Sequence, residues 1–318
     1  MRRAGRSWGA VLALLLATAC TTSSPPAARP SPSASPSASP SPSAPPAPVV
    51  FDAARAFRTI EALSIGIGPR EATSASYRRA ADLVADSFAA HGYAVRRQII
   101  GVPAGSSSGR DVPDGETQNV IATPPGYDPA APHLLVGAHL DTVPAAPGAN
   151  DNASGVAVMM ELARLARLEP TGMPVVWVAF GAEERRVPGD GGILYGSRAY
   201  LDALPRAEYD ALRGVLILDV VGRGSEVLIA SAGTTPPPIR DALKASADRL
   251  GIAARVRALT NLLSDHRPFE RAGFVVGWLY TGPFGQIHTP RDTIAIVDRD
   301  ALRRVGAIAW DTLRTVSL

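Results

Sequence analysis

Five short apolar runs, at residues 134–138, 175–180, 215–218, 227–229 and 274–280, constrain this chain more than any other feature. They are short and rich in branched or aromatic side chains, as in strands covered on both faces. Segments of helical periodicity separate or follow them, at 153–168, 197–204, 238–250 and 300–315. That alternation predicts a single α/β domain with a mostly parallel central sheet flanked by helices. Upstream, 53–63 and 72–90 read as amphipathic helices, the second ending at His91-Gly92, and 93–100 and 118–123 read as strands.

The domain begins near Val49, because what precedes it cannot fold. Arg2, Arg3 and Arg6 lead into an apolar run at 8–16 and then into Ala17-Thr18-Ala19-Cys20. The run is far shorter than the roughly 20 residues of a membrane span, and small residues abut the single cysteine of the chain. Residues 1–19 therefore read as a signal peptide and Cys20 as an acylation site, making the protein an exported lipoprotein whose membrane contact is its lipid anchor alone; simple secretion is the alternative. Residues 20–48 are dominated by Pro, Ser, Ala and Thr, the composition of a disordered, semi-rigid tether. Residues 49–318 remain for the folded domain. The chain carries 32 basic against 29 acidic residues, a net charge of +3 that implies no nucleic-acid partner. One cysteine excludes an internal disulfide, leaving burial and bound metal as sources of stability.

Polar residues gather where the apolar runs end, which in open α/β sheets is where ligands bind. The run 134–138 leads into His139-Leu140-Asp141, and 175–180 into Gly181-Ala182-Glu183-Glu184. Asp219 follows 215–218, the run 274–280 leads into a loop with His288, and Asp151 lies just ahead of the helix starting at Ala153. Taken singly, each has an ordinary explanation: a hydrogen-bonded His–Asp pair, a solvated Glu-Glu turn, or an aspartate capping a helix. Together, two histidines and several carboxylates converge on one sheet edge, and imidazole with carboxylate is the donor set of zinc and its neighbours.

The ordered motifs His139-x-Asp141, Gly-Ala-Asn-Asp151-Asn-Ala-Ser-Gly, Gly-Ala-Glu183-Glu184, Leu-Asp219-Val-Val-Gly, Ser-Asp265-His266-x-Pro-Phe and His288-Thr-Pro-x-Asp292-Thr resemble the di-zinc aminopeptidases of the aminopeptidase-Y type, secreted bacterial members above all. The likeness runs from Gly68-Pro69-Arg70 to the C-terminal helix. It implies the zinc-exopeptidase fold and a hydrolase that removes N-terminal residues from peptides with two Zn2+ ions. Carried over by position, His139 and Asp219 would bind one ion and Glu184 and His288 the other, with Asp151 bridging both. Glu183 would be the general base. Asp141 would accept the second ring N–H of His139. The resemblance also implies a cis peptide bond after Asp151, and Asp292 is expected to hold the loop of His288.

Two features depart from the family pattern. Residues 185–192 lengthen the stretch between the glutamates and Gly196-Ser197, predicting a longer loop at the rim. Ile287 stands where many relatives carry a tyrosine, with Gln286 and Tyr280 as candidate replacements. His91 is expected at a solvated helix end, His133 in an exposed position, and His266 in a structural or pocket-lining role. Leu262, Leu263, Phe269 and Phe284 are candidates for a side-chain pocket, at least two of them being expected in the core. Rival functions are a glutaminyl cyclase-like zinc acyltransferase, whose members use one zinc, and a non-catalytic binding lipoprotein on a peptidase fold. Oligomeric state is open, with a monomer expected.

Overall fold

The structure, a computed structural model, describes residues 20–22, 24 and 49–318. The leader and nearly all of the tether expected upstream lie outside the described residues. Residues 49–318 belong to one compact unit.

Helix α1 (Ala53–Glu61) starts where the Asp52 side chain accepts the N–H groups of Ala54 and Arg55, and it continues into a π-helical segment, Ala62–Ile67. Helix α2 (Ala75–Ala90) is capped by Ser74, whose Oγ accepts from Tyr77 N at 3.0 Å. Strand β1 (Ala94–Val102), a small hairpin of β2 (Gly105–Ser107) and β3 (Arg110–Val112), and β4 (Gly115–Thr123) follow. The central part comprises β5 (His133–His139), α3 (Ala153–Leu165), β6 (Val175–Phe180), α4 (Tyr195–Asp202), α5 (Arg206–Ala211) and β7 (Leu212–Leu218). Last come β8 (Val227–Ser231), α6 (Pro238–Arg249), β9 (Ala254–Ala258), α7 (His266–Arg271), β10 (Val276–Thr281) and α8 (Arg299–Thr315).

Eight strands form one sheet in the order β1-β4-β6-β5-β7-β10-β8-β9. Its middle, β6-β5-β7-β10, is parallel throughout, and every residue of β5, β6 and β10 is buried. Antiparallel pairing enters where β1 meets β4, β4 meets β6 and β10 meets β8. Helices α1, α2, α3, α6 and α8 pack one apolar layer against the sheet, with Trp177 and Leu279 among its buried members. The other face is closed by α4, α5 and α7 through Phe180, Tyr200 and Phe269. The expected α/β domain is therefore present, its parallel strands covered on both faces.

The parallel arrangement sets the site. The carboxyl ends of β5, β6, β7 and β10 emerge together, so His139, Glu183 and Glu184, Asp219 and the loop of His288 share one edge of the sheet. His133, at the opposite end of β5, corrects the expectation of exposure: it is 1% exposed, because the Tyr127 ring closes over it edge-on at 5.4 Å.

Candidate metal centre

Each of the two histidines that the sequence reading brings forward faces two carboxylates. His139 Nε2 lies 3.1 Å from Asp151 Oδ1 and 3.2 Å from Asp219 Oδ1. His288 Nε2 lies 3.1 Å from Asp151 Oδ2 and 3.2 Å from Glu184 Oε2. Asp151 thus offers one oxygen to each triad, and within each triad the donor atoms all lie within 4.8 Å of one another. All five expected donors converge on a cavity of about 390 Å³, which Glu183 also lines.

Local sequence accounts for this convergence. The loop Asn150-Asp151-Asn152 enters α3 through a cis Asp151–Asn152 peptide, as the resemblance implies. Its flanking polar side chains tie it to the turn after β7. Asn150 Oδ1 accepts Gly222 N at 2.8 Å, and Asn152 donates to Leu218 O at 2.9 Å while accepting Val220 N at 3.2 Å. Gly155 lets α3 approach this closely, since a Cβ there would lie 2.3 Å from Leu218 O. Ala182, Val220 and His288 all have φ between 54° and 59°, a conformation rare outside glycine and rarest for a branched residue such as Val220. They flank Glu183 and Asp219 and carry His288, so the backbone itself turns these side chains inward.

A second set of groups holds the donors. Asp292 accepts Asn150 N at 2.7 Å and Asp151 N at 3.0 Å, one on each oxygen. It therefore joins the loop of His288 to that of Asp151, more than the sequence reading assigned to it. Asp141 differs from expectation. Its carboxylate sits 3.8 Å from His139 Nδ1, and the ring nitrogen instead meets the Asp141 backbone carbonyl at 3.1 Å. The carboxylate accepts Glu183 N at 3.0 Å and Glu184 N at 3.2 Å, because the chain folds back over β5 after β6. Two further residues were given no role by the sequence reading. Ser264 Oγ donates to Asp219 Oδ2 at 2.7 Å. The fully buried Arg70 reaches five carbonyls: Leu140, Leu63, Gly68, Pro147 and Gly148, at 2.8 to 3.1 Å. It thereby ties the chain after His139 to the chain before Asp151.

The charge distribution fits a bound cation. Burial alone would lower the His139 imidazole, but the charges of Asp219 and Glu183 and hydrogen bonds to Asp151 and Asp219 raise it well above its usual range. Burial opposes ionisation of Asp151, yet hydrogen bonds from both histidines overcome it and hold that carboxyl low. Glu183 is raised well above the carboxylate range by burial, with Glu184, Asp265 and Asp219 adding to the effect. Glu184 is pushed up to about 6 by burial and the charge of Asp151. Four carboxylates against two imidazoles, all but His288 deeply buried, would carry a surplus of negative charge when ionised, and divalent ions would balance it. Nitrogen and oxygen donors in sets of three suit zinc.

The pocket walls are apolar. Leu262, Leu263 and Phe284 line the cavity with Ile193, Trp278 and Ile287, whereas Phe269 is 0% exposed in the core, so only one of the four candidates is purely core. His266 is buried and stacks on Trp278 at 5.0 Å, in keeping with a structural role. His91 sits at the α2 C-terminus, its Nδ1 2.7 Å from Ser87 O. Neither candidate for the absent tyrosine lines the cavity: Gln286 accepts from Arg223 at 2.6 Å, and Tyr280 is stacked between Trp278 and Phe284.

Comparison with known proteins places this arrangement. The zinc aminopeptidase BSAP of Bacillus subtilis superposes with a TM-score of 0.74 at 21% identity, over 84% of this chain and 95% of that one. The glutaminyl cyclase of Porphyromonas gingivalis superposes with a TM-score of 0.69 at 26% identity, over 83% of this chain and 98% of that one. Aminopeptidase YwaD of Bacillus subtilis is 30% identical over 201 residues, which is 60% of this chain and 42% of YwaD. The chain spans less than half the length of curated relatives of this kind. Residues 119–313, carrying all seven of the site residues read from sequence, match Peptidase family M28, and the chain belongs to that family.

Proposed function

We propose that this chain is a metal-dependent aminopeptidase that removes apolar N-terminal residues from peptides with two zinc ions. The observation that carries the reading is Asp151, whose two oxygens turn toward two different histidines, each completed by a further carboxylate. His139, Asp151 and Asp219 would hold one ion, and Asp151, Glu184 and His288 the other. Bound there, zinc supplies Lewis acidity toward the scissile carbonyl and renders water acidic near neutral pH.

The protein's own groups divide the remaining work. The Glu183 side chain lines the cavity and makes no hydrogen bond among the described residues; with cations balancing its anionic neighbours, its carboxylate would take a proton from the attacking water and pass it to the leaving amine. Asp141 positions it by holding the backbone N–H groups of both glutamates. Leu262, Leu263, Trp278, Phe284 and Ile287 exclude water and receive an apolar side chain.

The glutaminyl cyclase reading draws on the Porphyromonas gingivalis comparison, and the completeness of both triads favours hydrolysis over it. Metal analysis combined with a panel of aminoacyl p-nitroanilides and glutaminyl peptides separates the two. Two ions and leucine release support the aminopeptidase, whereas one ion with cyclisation of N-terminal glutamine overturns it. We also place the domain outside the cell on a lipid at Cys20, on the strength of the leader and tether sequence. No helix among the described residues is long and apolar enough to cross a membrane. Release of the domain into the medium by Cys20→Ser tests the anchor.

A further inference from the structure

The loop at 185–192, longer than the family pattern, builds more than a rim. Arg185 lines the 390 Å³ cavity and also a neighbouring hollow of about 750 Å³, walled by Gly105, Ser106 and Asp111 of the hairpin and by Val187, Pro188 and Asp190 of the loop. A peptide leaving the first space for the second crosses this side chain. Apart from the histidines, Arg185 is the only cationic side chain lining the site cavity among the described residues. Of the other charged groups around the hollow, Arg186 is engaged with Glu71 and Asp190 with Arg271 at 2.6 Å, while Asp111 makes no ion pair among the described residues. Arg185 is exposed, donates to Gly189 O at 2.6 Å, and has no carboxylate partner among the described residues.

The loop presents that guanidinium from a fixed backbone. Arg186, 2% exposed, donates to Pro103 O at 2.9 Å and also to Glu71 and Pro113 O, while its own carbonyl accepts Ser106 N at 2.7 Å. Gly105 makes the contact with the hairpin close: a Cβ there would fall 1.9 Å from Arg186 O. A planar, preorganised guanidinium with free donors beside a carboxylate-rich centre is the group that recognises a further carboxylate without repulsion.

We propose that Arg185 reads the C-terminal carboxylate of short peptides, making di- and tripeptides with a free C-terminus the preferred substrates. The proposal rests on the aminopeptidase reading above and adds the substrate's other end to it. The N-terminal residue occupies the apolar cavity, and the chain beyond the scissile bond lies across Arg185, with the C-terminal carboxylate against the guanidinium.

The test uses the zinc-loaded full chain and compares kcat/KM for Leu-Gly and Leu-Gly-amide. The expected ratio is about tenfold in favour of the free acid, carried by KM, the scale of one charge-assisted hydrogen bond. Arg185→Gln should bring the ratio close to one, Arg185→Lys should retain part of it, and Arg185→Glu should invert it. An unchanged ratio in Arg185→Gln, or a wild-type preference for the amide, overturns the proposal alone. Failure of the wild type to cleave leucine p-nitroanilide as well as both peptides overturns the aminopeptidase reading and this proposal with it.

Discussion

The two histidines of the site show how differently its floor and its rim are made. His139 is 2% exposed at the end of a buried strand, and its neighbours are fixed by Arg70, Asp141 and Ser264. His288 is 45% exposed on the loop between β10 and α8, and that loop is tied to the floor by Asp292. Beyond it the rim consists of partly exposed apolar residues such as Leu262 at 41%, and of Arg185 on its pinned loop. The floor holds its donors in place by internal hydrogen bonds and is preorganised for ions. The rim leaves its side chains toward solvent, where the proposed substrate would meet them.

This contrast sets the order of expected effects. Asp151→Ala should be the most damaging change, because one side chain serves both triads. Metal content measured by atomic absorption should fall from two ions to fewer than one, with hydrolysis at background. Retention of both ions would remove Asp151 from the floor altogether. Glu183→Gln should keep two ions and the fold while lowering kcat by about 10²–10⁴-fold, the range of general acid–base contributions. Loss of metal in that variant would make Glu183 a ligand and reverse the roles of the two glutamates.

Arg70→Lys sharpens the comparison without touching substrate. Lysine offers three donors where Arg70 reaches five carbonyls, so at least two charge-assisted hydrogen bonds are lost, at about 1.5–3 kcal/mol each. Denaturation in the presence of chelator should show a loss of that order, and an unaltered midpoint would deny the floor its rigidity. At the rim, Leu263→Ala should alter the preference between leucine and alanine p-nitroanilides by about 10-fold or less, with stability changed by under about 1 kcal/mol. If this rim variant instead lost metal, floor and rim would not be separable.

The floor was also the part most legible in the sequence. Buried parallel strands announce themselves as unbroken apolar runs, and His139, Glu183, Glu184 and Asp219 follow where those runs stop; together with Asp151 and His288 from the neighbouring loops they line one cavity. Edge elements left weaker traces. Strand β9, Ala-Arg-Val-Arg-Ala, is mostly exposed and lacks the apolar run of a covered strand. Strand β2 and the turn that follows it are written in glycine and serine and read as a loop. His133 was misjudged because its cover, Tyr127, comes from a separate turn. The roles of Asn150, Asn152, Ser264 and Arg70 depend on contacts with segments up to 78 residues away. No local pattern distinguishes a buried arginine spanning two loops from one on the surface. The carboxylate of Asp141 was placed behind the wrong group for the same reason: a strand end fixes where a residue sits, and the return of the chain after β6 decides what it meets.

The sharing of Asp151 between two half-sites has a consequence for descent. A lineage can lose His139 or Asp219 and keep the second triad, or lose His288 or Glu184 and keep the first. Each is a single step that leaves one binding half on which selection can build a new reaction. Loss of Asp151 strips both halves at once and leaves nothing to inherit. Drift away from the proposed hydrolysis therefore has several exits in which this one aspartate is retained.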